Sequence, residues 1–95
     1  MREALAITHL LKSHNAPLNA AQANRLLLRL GILEEAERES SAKPGAVRRF
    51  KKLSQAGEAW GLNEWNAYGD AQPKFYVDSF PNLLERLLVA AGVRD

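Results

Sequence analysis

Cysteine is absent from the 95 residues, which excludes disulfides and thiolate metal centres. The two histidines, His9 and His14, have neither one-turn metal spacing nor a carboxylate partner at a telling distance, so no metal site is expected. No apolar run approaches the roughly 20 residues that cross a bilayer, and the first dozen residues lack the charge, apolar block and small cleavage residues of a signal peptide. A cytoplasmic protein without a membrane partner is expected. Excess charge is small as well: the net value is +2, so a general basic field is not what would draw this chain to nucleic acid. No glycine-rich loop is arranged to cradle phosphate, Ser40 and Ser41 have no elbow glycines, and the glutamate run lacks the alternating oxygen order of a calcium loop. These absences predict no enzyme and no cofactor.

What is present is an ordinary globular composition, 46% hydrophobic and 25% charged, sized for one domain over residues 1–95. Its most informative stretch is residues 18–31. Asn19 is a helix cap, residues 20–30 are strong helix formers, and Gly31 suits a left-handed stop. At about 100° per residue, Gln22, Arg25 and Arg29 share one face, while Ala23, Leu26, Leu27 and Leu30 share the other. That is a helix with a core-facing back and a basic, hydrogen-bonding front. Upstream, Ala4, Ile7, Leu10 and Leu11 predict a first helix over residues 3–13, which Pro17 separates from the second. The pair is compatible with helix-turn-helix.

Four glutamates, Glu34, Glu35, Glu37 and Glu39, precede the cations Lys43, Arg48, Arg49, Lys51 and Lys52. We read a β-hairpin here, with a loop at residues 40–45, Glu35 near Lys51 and Glu37 near Arg49. Such cross-strand pairs stabilise a ladder by about 0.2–1 kcal/mol each. Val47 and Leu53 differ in parity from Phe50, which predicts a bulge or an early end to the second strand. Residues 54–61 read as a short helix capped by Ser54 and weakened by Gly57, residues 62–73 as an aromatic loop, and residues 74–77 as a strand added to the hairpin sheet. A last helix runs from Phe80 to about Ala91, with Phe80, Leu83, Leu84, Leu87, Leu88 and Ala91 in one stripe and Val89 outside it. Trp60, Trp65, Tyr68, Phe75 and Tyr76 are either core anchors or an exposed aromatic platform.

The fold class these elements predict is mainly α with a small antiparallel β-sheet, a winged helix-turn-helix. The order of elements resembles small phage and prophage winged-helix proteins and the C-terminal KilA-C-type domain of phage antirepressors. Two stretches carry the likeness. Ala23-Asn24-Arg25-Leu26-Leu27 followed by Leu30-Gly31-Ile32-Leu33 is similar to that family's Asn-basic-Leu-Leu and Leu-Gly-aliphatic signature. Leu53-Ser54-Gln55-Ala56-Gly57-Glu58-Ala59-Trp60-Gly61 is similar to its Leu-Ser/Thr-x-x-Gly-x-x-aromatic-Gly segment.

The resemblance implies DNA binding, in transcriptional regulation, or contact with a repressor protein. On the residues themselves, Gln22, Arg25 and Arg29 would face the major groove, and Lys43, Arg48 and Lys52 would face phosphates. The expected partner is therefore duplex DNA. The alternative is a protein-binding module, such as an antirepressor or an inhibitor of a host repressor or defence complex, built as a monomer or a homodimer.

Overall fold

The computed structural model describes residues 2–39 and 44–93. Helical spacing at the start of the chain is interrupted at once. Ala4–Leu5 form a two-residue strand, β1, and the first helix, α1, occupies Ile7–Ser13. It buries Ile7, Leu10 and Leu11 and ends at Ser13, and Asn15, with a φ of 49°, lets the chain reverse just beyond it. Helix α2, Ala20–Arg29, begins with a reciprocal cap: Gln22 N–H donates to Asn19 Oδ1 at 2.8 Å and Asn19 N–H donates to Gln22 Oε1 at 3.0 Å. Two otherwise unpaired helix donors are satisfied this way. Its end is a Schellman turn through Gly31, with Ile32 N–H bonded to the Leu27 carbonyl.

The charged hairpin forms as β2, Leu33–Glu39, and β3, Val47–Leu53. Its register pairs Glu35 with Lys51 and Glu37 with Arg49. No residue is left over in the ladder from Leu33 opposite Leu53 to Glu39 opposite Val47, so the predicted bulge is absent. Phe50 shares a face of the ladder with Ala36 and Arg38, and that face meets a second hairpin, Phe50 through Trp65 and Arg38 through Asp70. That second hairpin comprises β4, Gly61–Trp65, and β5, Ala71–Tyr76, and it replaces the expected aromatic loop. Pro73 is tolerated in a strand here. Asn66 N–H bonds to the Asp70 carbonyl, which sets the alternation of ladder bonds so that Asn63 and Pro73 fall opposite one another as a non-hydrogen-bonded pair. Strand β5 pairs with β4 and with β1, not with the charged hairpin as expected.

These findings correct the fold class. The described residues form a small α+β domain with three helices and five strands, 36% helical and 31% strand, and not a mainly α winged helix-turn-helix. Beside the two-stranded β2-β3 hairpin, which the sequence anticipated, stands a three-stranded antiparallel sheet, β1-β5-β4, whose β1, β4 and first half of β5 come from residues that the sequence had assigned to helix and loop. Helix α3, Phe80–Ala90, closes the core as anticipated, burying Phe80, Leu83, Leu87 and Leu88. Ser79 occupies its cap position without a side-chain capping bond.

Residues from all three helices meet Ile32, Leu33, Leu53 and Phe75 in one apolar cluster. The molecule therefore has a helical head and a β arm, and it measures 47 × 31 × 23 Å. Its radius of gyration, 14.2 Å, exceeds the roughly 13 Å of a compact domain this size because the hairpins project.

Small contacts fix the arm to the head. Ser54 Oγ donates to the Gly31 carbonyl and accepts the Gly57 N–H at 3.1 Å, and the segment Ala56–Ala59 is a single 3-10 turn rather than a two-turn helix. Asn63 treats Leu53 as a neighbouring strand would: Leu53 N–H donates to Asn63 Oδ1 at 2.8 Å, and Asn63 Nδ2 donates to the Leu53 carbonyl at 3.3 Å.

Candidate binding face on the helical head

Six side chains were the sequence's candidates for nucleic-acid contact, and the fold places them in different surroundings. Lys43 lies outside the described residues. Gln22 is exposed, but its amide oxygen is engaged in the Asn19 cap, a role legible in the Asn-x-x-Gln spacing. Lys52 Nζ sits 3.4 Å from Glu34 Oε1, across the ladder. Arg48 Nε lies 3.2 Å from Asp70 Oδ2, although most of its side chain stays exposed. Arg25 and Arg29 remain, both exposed on α2 and without a carboxylate partner among the described residues.

The arm neutralises itself. Beyond the pairs just named, Arg49 meets Glu37 at 3.1 Å. Asp70, the one buried charged residue among those described, anchors the tip by binding Arg38 Nε at 2.6 Å. The hydrogen bond from Arg38, followed by the charges of Arg38 and Arg48, holds the Asp70 carboxyl below its ordinary value. Because the folded value is depressed, this contact contributes fully above the unfolded carboxylate value of about 3.9 and is lost as pH falls through the lower folded value. Acid titration should therefore loosen the arm tip before the head. In wild type, the near-ultraviolet circular dichroism of Trp65 should change only below about pH 4; in Asp70→Asn it should be altered at neutral pH already. An identical acid response in the two proteins would remove Asp70 as the latch.

The head has a different electrostatic character. Between Glu3 and Glu34 the chain carries no carboxylate, yet it carries Lys12, Arg25 and Arg29. Arg29 stands in the last turn of α2, where the helix dipole favours a cation. The same surface is apolar. Leu30, expected in the core, is 44% exposed, and Val89 on the outer side of α3 is 46% exposed. Leu30 was misassigned because the helix stops at Arg29 and the chain turns at Gly31, carrying position 30 out of the buried stripe.

Two shallow hollows adjoin where Arg29 and Leu30 approach the end of α3. One, about 260 Å³, is lined by Leu18, Gln22, Arg25, Leu26, Arg29 and Ala91. The other, about 470 Å³, is lined by Leu30, Asn82, Glu85, Arg86, Val89 and Ala90. Arg86 is held at its rim with its guanidinium 5.3 Å from the Trp60 ring centre.

The aromatic residues divide. Phe75 is in the core, Trp60 and Tyr76 are half-buried, and Trp65 and Tyr68 are 55% and 69% exposed on the arm. Trp65 leans edge-on against Phe50, ring centres 6.0 Å apart. A polar hollow of about 620 Å³ lies between the hairpins, with Glu34, Lys52, Asn63 and Trp65 in its lining. Among the described residues, no three histidine or carboxylate side chains gather where they would hold a metal ion. No described helix is long and apolar enough to cross a membrane.

No protein-family model, curated protein or solved structure matches this chain.

Proposed function

We propose that this protein is a cytoplasmic protein-binding module, of antirepressor or inhibitor type, whose contact face is α2 together with the outer side of α3. The observation that carries this reading is the juxtaposition of two arginines that have no carboxylate partner among the described residues, Arg25 and Arg29, with exposed Leu30 and Val89. Desolvated apolar side chains ringed by arginine are what a protein partner's surface rewards. A phosphate backbone gains nothing from them. Among the described residues of the head, Lys12, Arg25, Arg29 and Arg86 would neutralise at most about four phosphates, against the roughly 6–10 contacts that make duplex binding strong and steeply salt-dependent.

Duplex DNA is the second reading, favoured by one observation: the absence of any carboxylate between Glu3 and Glu34. A single pair of measurements separates the two. Nuclease-treated lysate from the source cells is passed over wild type and over the Arg25→Glu, Arg29→Glu double variant, and mixed-sequence duplex is titrated at several salt concentrations by fluorescence anisotropy. The protein-binding reading expects a stoichiometric partner on wild type that the double variant retains at least about tenfold less well, with no tight duplex complex. The DNA reading expects the reverse. Wild type would then bind duplex, and Arg25→Ala, Arg29→Ala would lower the salt slope by about two units.

A further inference from the structure

Resting on the protein-binding reading, we infer that the partner presents an amphipathic helix with an acidic flank, laid along the surface between α2 and α3. Shape argues for a helix. On α3, Asn82, Glu85, Arg86, Val89 and Ala90 line one hollow, at offsets of three, four, seven and eight from Asn82, so the hollow runs about two helical turns, roughly 12 Å, along the α3 axis. A ligand helix presents its anchors at that same spacing, i, i+3, i+4 and i+7. An extended peptide would need a strand edge to pair with, and no described strand residue lines either hollow.

Charge specifies the flank. Arg25 and Arg29 stand on the α2 side and Arg86 on the α3 side, whereas among the described residues Glu85 is the one carboxylate in the lining of either hollow. The floor between them is Leu30, Val89 and Ala90, small enough in relief for two or three aliphatic anchors. An acidic, amphipathic helix satisfies both features at once: its apolar stripe covers the floor and its carboxylates meet the arginines.

The test is a selection of random helical-length peptides displayed against the full chain. Enriched peptides should carry apolar residues at helical spacing flanked by Asp and Glu, and their amide-shift footprint should fall on Leu30, Val89 and Ala90. Val89→Gln, conservative for the fold because the side chain is largely exposed, should weaken them about tenfold, and selection against Arg25→Glu, Arg29→Glu should return basic flanks instead. Enriched peptides that lack acidic residues overturn the acidic helix and leave the protein-binding reading standing, whereas peptides that shift Trp65 and Tyr68 on the arm overturn both the helix assignment and the contact face. If nothing is enriched while wild type binds duplex in a steeply salt-dependent manner that Arg25→Ala, Arg29→Ala removes, both fall.

Discussion

The Gly57→Ala protein is expected to be less stable than wild type by about 3 kcal/mol, opposite in sign to the gain of about 1 kcal/mol that alanine brings to an ordinary helix interior. A Cβ at position 57 would run into the Ile32 carbonyl oxygen, with a Leu53 methyl 3.1 Å away on another side. Neither neighbour is free to yield. The Ile32 carbonyl already accepts the Ser54 N–H at 2.9 Å, and Leu53 is locked in the core with its backbone held by Asn63. Read alone, the sequence counts Gly57 as a weakness in a short helix; the fold makes it the gap through which the arm meets the head. Urea denaturation of the two proteins decides the matter, and an alanine variant as stable as wild type would show that the junction relaxes.

Phe80→Ala is expected to cost about 3–5 kcal/mol, against a total of only about 5–15 kcal/mol for a domain of this kind. Phe80 has no exposed surface. It begins α3 and lies with its ring centre 5.2 Å from that of His14, at the end of α1, so it joins the last helix to the first. Truncation opens a cavity between elements that are far apart in sequence and can collapse only by moving a helix. The variant should unfold at substantially lower denaturant with an unchanged slope. A loss near 1 kcal/mol would mean that α3 closes over the space.

Local chemistry is what the sequence displayed openly. Asn19 and Gly31 mark the ends of α2 through bonds to residues three or four away, and the last helix shows its buried stripe without help from any other segment. The hairpin register was also readable, because Glu35, Glu37, Arg49 and Lys51 are placed symmetrically about the intervening loop. The second hairpin was hidden by its own composition. Asn63, Asn66, Gly69, Asp70 and Pro73 all carry turn character, yet Asn66 and Asp70 make the turn while Asn63 and Pro73 sit opposite one another within strands. Strand β1 was masked by apolar spacing that continues into α1, and only its partner β5, more than sixty residues away, makes it a strand.

The candidate site followed the same division. The basic front of α2 was legible, since periodicity places Arg25 and Arg29 together. Its apolar neighbours were not. Leu30 reaches the surface only because the helix ends one residue earlier, and Val89 joins it only through the packing of α3 on α2. Likewise, nothing near Arg48 announces that Asp70 will engage it, since twenty-two positions separate them.

The charged hairpin resembles a beam carried on two supports. The Asn63 carboxamide bears it at the root and Asp70 bears it at the far end, with Phe50 resting on Trp65 between them. A beam so mounted cannot swing away from its supports as a cantilever would, so the two hairpins hold one another and the outward charges of the first keep a fixed place relative to the second.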